Sequence, residues 1–278
     1  MKNRIEFLIL IISILFISCS SNIPIEEVTI DDSIAEVETE KQLNVTILLD
    51  LSDRIKPTKY PSQPEHYERD IEIVKYFTEL FKADMEKRGA FQAKGKLKVV
   101  FSPLPQDSEI NSIAANLKVD LSAVKSNAEK KIVFDNITNT FSDNLNKIYS
   151  KTIETDKYVG SDTWRFFKND VVDFCLEESD YRNILVMITD GYVYHINSKQ
   201  ISKNRTQFLT PEYIYQERLN LIGNWDIVKG RISTYDYGYI ATRNDLNNLE
   251  ILALEINPTP NRIADEDVIK EYLKKWFD

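Results

Sequence analysis

The sequence predicts an α/β domain: a doubly wound, mainly parallel sheet with helices on both faces, a three-layer sandwich. Three observations carry that expectation. Short apolar runs at 43–50, 96–102, 183–189 and 249–256 alternate with longer stretches whose apolar residues fall at helical spacing. The runs are apolar on successive rather than alternate residues, as in strands covered on both faces. Two of them end on an aspartate, Asp50 and Asp190, at the carboxyl edge where open α/β sheets hold their ligands.

Taken in order, Leu43 to Asp50 (LNVTILLD) reads as the central strand because it is β-branched and nearly all apolar. The stretch 69–88 places Ile71, Ile73, Val74, Phe77, Leu80, Phe81 and Met85 on one stripe, and Gly89 ends it. A second strand at 96–102 is bounded by Pro103 and Pro105. A long polar helix is expected at 127–150, with Ile132, Phe134, Ile137, Phe141, Leu145 and Ile148 on one side. Another helix at 164–178 leads to the strand 183–189, followed by a helix at 212–222, a strand at 249–256 and a terminal helix at 265–277. The region 231–241 is strand-like with an ambiguous register. With no repeat and no linker after residue 43, residues 43–278 form one domain.

What precedes it reads as an address. Lys2 and Arg4 form a basic head, residues 7–17 an apolar core, and Phe16-Ile17-Ser18-Cys19 closes it. This is a signal peptide, 1–18, and its apolar run is about half of the roughly 20 residues a membrane-crossing helix needs. The closing string resembles a bacterial lipobox, with Phe16 where Leu is usual, which implies diacylglycerol and palmitate-type acylation on Cys19. Residues 19–42, with Glu26, Glu27, Asp31, Asp32, Glu36, Glu38 and Glu40 and no aromatic side chain, read as a flexible acidic tether. The expected location is the bacterial cell envelope, with the domain lipid-anchored to a membrane and outside the cytoplasm.

Composition narrows the chemistry. The chain of 278 residues carries 35 basic and 44 acidic side chains, a formal charge of −9, so no nucleic-acid partner is expected. Two histidines and two cysteines cannot furnish a His-rich zinc site or a disulfide framework, and seven glycines include no phosphate-binding fingerprint. Any metal must therefore be held by oxygen.

Three loops offer such oxygens: Asp50-Leu51-Ser52-Asp53-Arg54, Gly160-Ser161-Asp162-Thr163 and Thr189-Asp190-Gly191. Hydroxyls and carboxylates together suit Mg²⁺ or Mn²⁺, with Ca²⁺ as a further candidate. Here the sequence resembles the von Willebrand factor A (vWA) family and its metal-ion-dependent adhesion site. The family carries Asp-x-Ser-x-Ser after the first strand, a Thr before a helix, and an Asp in a strand-T-D-G string. The resemblance implies metal ligation by Asp50, Ser52, Ser161 and Asp190, with Asp53, Asp162 and Thr163 as further donors. Arg54 stands where the family has its second serine, and a guanidinium cannot ligate a cation. It either pairs with Asp53, Asp162 or Asp190 in place of the metal, or points outward while Asp53 supplies the missing oxygen.

A phosphatase loop is excluded by Ser52, which stands where a second aspartate would be required. His66 lies in a Pro-rich loop that leaves the same sheet edge, and Cys175 reads as a small buried hydrophobe. The favoured function is binding, not catalysis: a protein partner's Asp or Glu carboxylate completes the metal's shell, with Arg54, Tyr192, Tyr194 and His195 as the rim. The alternatives are a metal-assisted hydrolase and a structural envelope protein with an empty, degenerate site. The anchor is tested by replacing Cys19 with Ala: incorporation of labelled palmitate into the protein should disappear, and undiminished label would refute lipidation.

Overall fold

The computed structural model describes residues 40–158, 160–258 and 262–278. Cys19, the 1–18 leader and the tether up to residue 39 lie outside the described residues.

β1 (Gln42–Leu49) is buried over its last six residues. A 3₁₀ turn (Asp53–Ile55) leads to α1 (His66–Gln92), which starts before residue 69 because Glu65 and Glu68 form a capping box. Gly89, at φ 72°, breaks α1 where the apolar stripe ends. β2 (Lys96–Phe101) is followed by two elements that the sequence patterning does not reveal, α2 (Ser108–Ala114) and β3 (Lys118–Asp120). Both are short, and α2 depends on its cap, in which the Asp107 carboxylate accepts from the amides of Glu109 and Ile110. α3 (Asn127–Thr155) opens on the Ser126/Glu129 capping box and buries Ile137, Phe141, Leu145 and Ile148.

In place of one helix at 164–178 the chain forms α4 (Thr163–Arg165), a π-helical turn (Phe166–Asp170) and α5 (Val171–Cys175). β4 (Tyr181–Ile188), β5 (Ile201–Ser202) and β6 (Arg205–Thr206) come next. α6 (Pro211–Gln216) is shorter than the expected 212–222 because Arg218, at φ 56°, turns the chain. The strand-like region 231–241 divides: its first four residues are the end of α7 (Trp225–Thr234), and only Gly238–Tyr239 is extended, as β7. Val228 and Ile232 of α7 are buried four residues apart, a helical rather than an extended spacing. β8 (Leu249–Leu254) and α8 (Asp265–Phe277) complete the order.

The main sheet runs β3-β2-β1-β4-β8, and β5-β6-β7 form a second, smaller sheet. In the main sheet β1 is parallel to β2 and β4 and β4 is parallel to β8, while β3 runs antiparallel to β2. Side chains alternate across β1 and β4. Val45, Ile47, Leu49, Ile184, Val186 and Ile188 join one apolar cluster with residues of α1 and α3. Leu48, Leu185 and Met187 join another with residues of α5, α6, α7 and α8. The chain crosses from the β2 side of β1 to its β4 side, so the strand order reverses between β1 and β4. No helix of the described residues is long and apolar enough to cross a membrane.

Gly191 fixes how the β4 edge meets α8. It sits at φ +89°, and a Cβ there would lie 2.3 Å from Cγ2 of Ile269. Gly89 also has a positive φ, but a Cβ at that position would meet nothing within 4 Å among the described residues. Gly191→Ala should therefore lower stability by well over about 1 kcal/mol, and by more than Gly89→Ala, in urea melts of the two variants.

Candidate functional site

The carboxyl edges of β1 and β4 are joined by the Asp50 carboxylate. Asp50 donates its amide to Ile188 O at 3.1 Å. One carboxylate oxygen accepts from the Ser52 amide at 2.7 Å, the other from the Thr189 hydroxyl at 2.8 Å. The loops after two neighbouring parallel strands thus share one buried acid.

Arg54 does neither of the things its position suggested. It is 3% exposed, so it lies beneath the loop and not on a rim, and it pairs with none of Asp53, Asp162 and Asp190. Its Nη2 lies 2.5 Å from Asp70 of α1 and 3.4 Å from Ile188 O, and its Nε lies 3.9 Å from Asp50. Tyr149 of α3 donates to the same Asp70 oxygen at 2.8 Å. Burial opposes the charge on Arg54, but the Asp70 and Asp50 carboxylates more than offset it and hold the guanidinium protonated. Burial raises the Asp70 carboxyl, with Arg54 and the Tyr149 hydroxyl pulling the other way. Asp53 faces outward and pairs with Lys59.

The hydroxyl loop is stitched to the chain beyond β4. Ser161 and Tyr194 exchange backbone hydrogen bonds at 3.1 and 2.9 Å. Gly160 is required beside them, because at φ +81° a Cβ would lie 2.5 Å from Tyr194 O. Ser161 Oγ and Thr163 Oγ1 are 3.1 Å apart and buried. Asp162 is consumed by structure: its carboxylate caps α4 through the Arg165 amide, accepts from Ser198 Oγ at 2.9 Å, and lies 3.2 Å from His195 Nδ1.

Asp50, Ser161, Thr163, Thr189 and Ser102 line one cavity of about 10 Å³ above Leu48, Leu49 and Met187. That is close to the smallest space that holds a single water-sized species. Ser52 and Asp190 stand outside this lining. Asp190 is partly exposed and accepts from the Tyr192 amide at 3.0 Å. Desolvation, and then the charge of Asp50, lift its carboxyl to about 7, against the attraction of Arg54.

Of the remaining expected contacts, Tyr194 is 44% exposed with Lys199 over its ring. Tyr192 donates to Asp265 at the start of α8, at 2.8 Å. His66 is the first residue of α1; burial and Arg69 lower it to about 4, and its Nδ1 lies 2.8 Å from Arg69 Nη2. Cys175 is fully buried, with its thiol pushed up to about 12 by desolvation.

Sequence patterning misses Asp70, Tyr149 and Ser102, and names Thr189 only within the string of the third loop. Asp70 carries a signal, since it falls on the buried stripe of α1, four residues before Val74, where a carboxylate needs a partner. Among the described residues no group of three or more His, Cys, Asp and Glu side chains is placed to hold a metal. The set around the cavity is of another kind, one carboxylate with several hydroxyls. Its hard oxygens fit Mg²⁺ or Mn²⁺ in chemistry, and each Asp50 oxygen, with one hydrogen bond, keeps a lone pair for a cation. No protein-family model matches this chain, and no curated protein and no solved structure matches it.

The folded chain binds the Asp190 proton more tightly than the unfolded chain does. The stability this contributes is full below the ordinary carboxylate range and is lost as pH rises through about 7. In metal-free urea melts, wild type should therefore lose stability relative to Asp190→Asn between about pH 5 and about pH 8, because the amide mimics the protonated form. A pH-independent difference between the two would show that Asp190 is not raised.

Proposed function

We propose that residues 43–278 are a vWA-like, doubly wound domain of a bacterial envelope lipoprotein, anchored through Cys19 and held off the membrane by residues 19–42. The domain binds a protein partner through a divalent cation, Mg²⁺ or Mn²⁺. Asp50 and Ser161 would hold the cation, with Ser52 and Asp190 completing the set from the rim and Thr163 as an added donor. Asp53 and Asp162 are engaged elsewhere and are left out of it. The single observation supporting this reading is the cavity where Asp50 and Ser161, contributed by separate loops, meet at the carboxyl edge beside the reversal of strand order. Mg²⁺ takes six oxygen ligands, so some positions stay open to water and to an incoming Asp or Glu carboxylate. Tyr194 would contact such a partner from the exposed rim.

One observation favours the structural alternative. The Arg54 guanidinium already sits 3.9 Å from Asp50 and supplies positive charge where a cation would. Thermal melts separate the two readings. Mg²⁺ or Mn²⁺ at one hundred times its dissociation constant should stabilise the protein by about 2.7 kcal/mol, and Asp50→Ala or Asp190→Ala should abolish the gain. Melts unchanged by millimolar metal would refute the cation and leave a domain whose acidic loop is neutralised internally by Arg54.

A further inference from the structure

The outer edge of β2 is only partly covered. β3 pairs with it over residues 96–98, and the Val99 amide donates to Leu117 O at 2.9 Å. Backbone groups alternate in direction along a strand, so Phe101 turns its N–H and C=O outward as Val99 does, away from β1. Among the described residues no hydrogen bond from another segment reaches Phe101 on that side. This edge lies in a groove of about 790 Å³ running between α2 and the α4–α5 segment. Ala114 and Ala115 form one wall, and Arg165 and Phe174 the other. Two large apolar side chains stand open in it, Leu104 at 72% and Phe174 at 41% exposure. Arg165 is exposed and, among the described residues, in no ion pair within 4 Å, although Asp170, which also lines the groove, feels its charge.

We propose that this groove binds an extended peptide segment of another protein, added as a strand to the β2 edge, with apolar side chains at alternate positions and an acidic residue facing Arg165. An unpaired strand edge presents a donor and an acceptor at strand spacing, which another strand satisfies and a helix, whose backbone is already bonded, does not. The period of two sends alternate peptide side chains toward Leu104 and Phe174. The guanidinium of Arg165 attracts a carboxylate of the peptide. None of this requires a cation, so the groove stands or falls apart from the metal reading.

The test uses random peptides displayed on phage, selected on the domain in EDTA and counter-selected on Leu104→Asp/Phe174→Asp. Both substitutions are at exposed positions; should the pair perturb the circular dichroism melt, Leu104→Asp alone serves. Recovered peptides should show apolar residues two apart and an acid, and should lose about tenfold or more in affinity for the variant and for Arg165→Glu. N-methylation of alternate peptide amides should abolish binding in the register that faces Phe101 and spare it in the other. Recovery of no peptide that discriminates wild type from the variant overturns the proposal, as does binding that survives N-methylation in both registers.

Discussion

The guanidinium of Arg54 reaches back from the turn behind β1 into the interior, where it meets Asp70 of α1 at 2.5 Å while Tyr149 of α3 bonds the same oxygen. Through this contact the loop after β1 is fastened to both helices of one layer and, by the Ile188 carbonyl, to the end of β4. Taking two charges out of water is costly, and removing either partner from such a pair costs about 3–5 kcal/mol because the survivor is left buried and alone. Arg54 Nε and Nη1 and Asp70 Oδ1 have no hydrogen-bond partner among the described residues. The pair thus fixes a geometry more than it adds stability, and the geometry it fixes is the position of Asp50.

Asp50 in turn couples the two strands whose ends define the site. Its two oxygens accept from its own loop at Ser52 and from the β4 loop at Thr189, so neither loop can shift without breaking a bond in a nearly dry environment. The hydroxyl loop is registered against the same region by backbone bonds between Ser161 and Tyr194. Asp190 is left out of this lattice, apart from the Tyr192 amide, and its raised pKa reflects that position: an acid first desolvated, and then set beside a committed acid.

The strands were legible as short continuous apolar runs, and the long helices because their apolar residues repeat at helical spacing over many positions. α8 was read at its observed limits, helped by three acids in its first turn and two lysines in its last. α2, β3 and α7 were not, since a short element owes its existence to caps and to neighbours rather than to its own pattern. Within the site, the loops that meet could be read from their strings, but the role of Arg54 could not. Its partner lies sixteen residues away on a helix whose approach depends on the packed sheet. The same holds for Asp162, a donor on paper whose oxygens are occupied by Ser198 and a helix start.

The π-helical turn between α4 and α5 has a consequence for how that hydroxyl loop is aimed. In an α-helix each residue advances the facing direction by about 100°, so the angular phase at one end dictates the phase at the other. The wider turn at Phe166–Asp170 breaks that dependence and lets the adjacent Phe166 and Phe167 both be buried. The chain on its amino side can then be clocked to bring Ser161 and Thr163 over Asp50, while the carboxyl side keeps Val171 and Cys175 seated against the sheet. It acts as a phase shifter, a single widened coil that decouples the aim of the loop from the packing of the helix behind it.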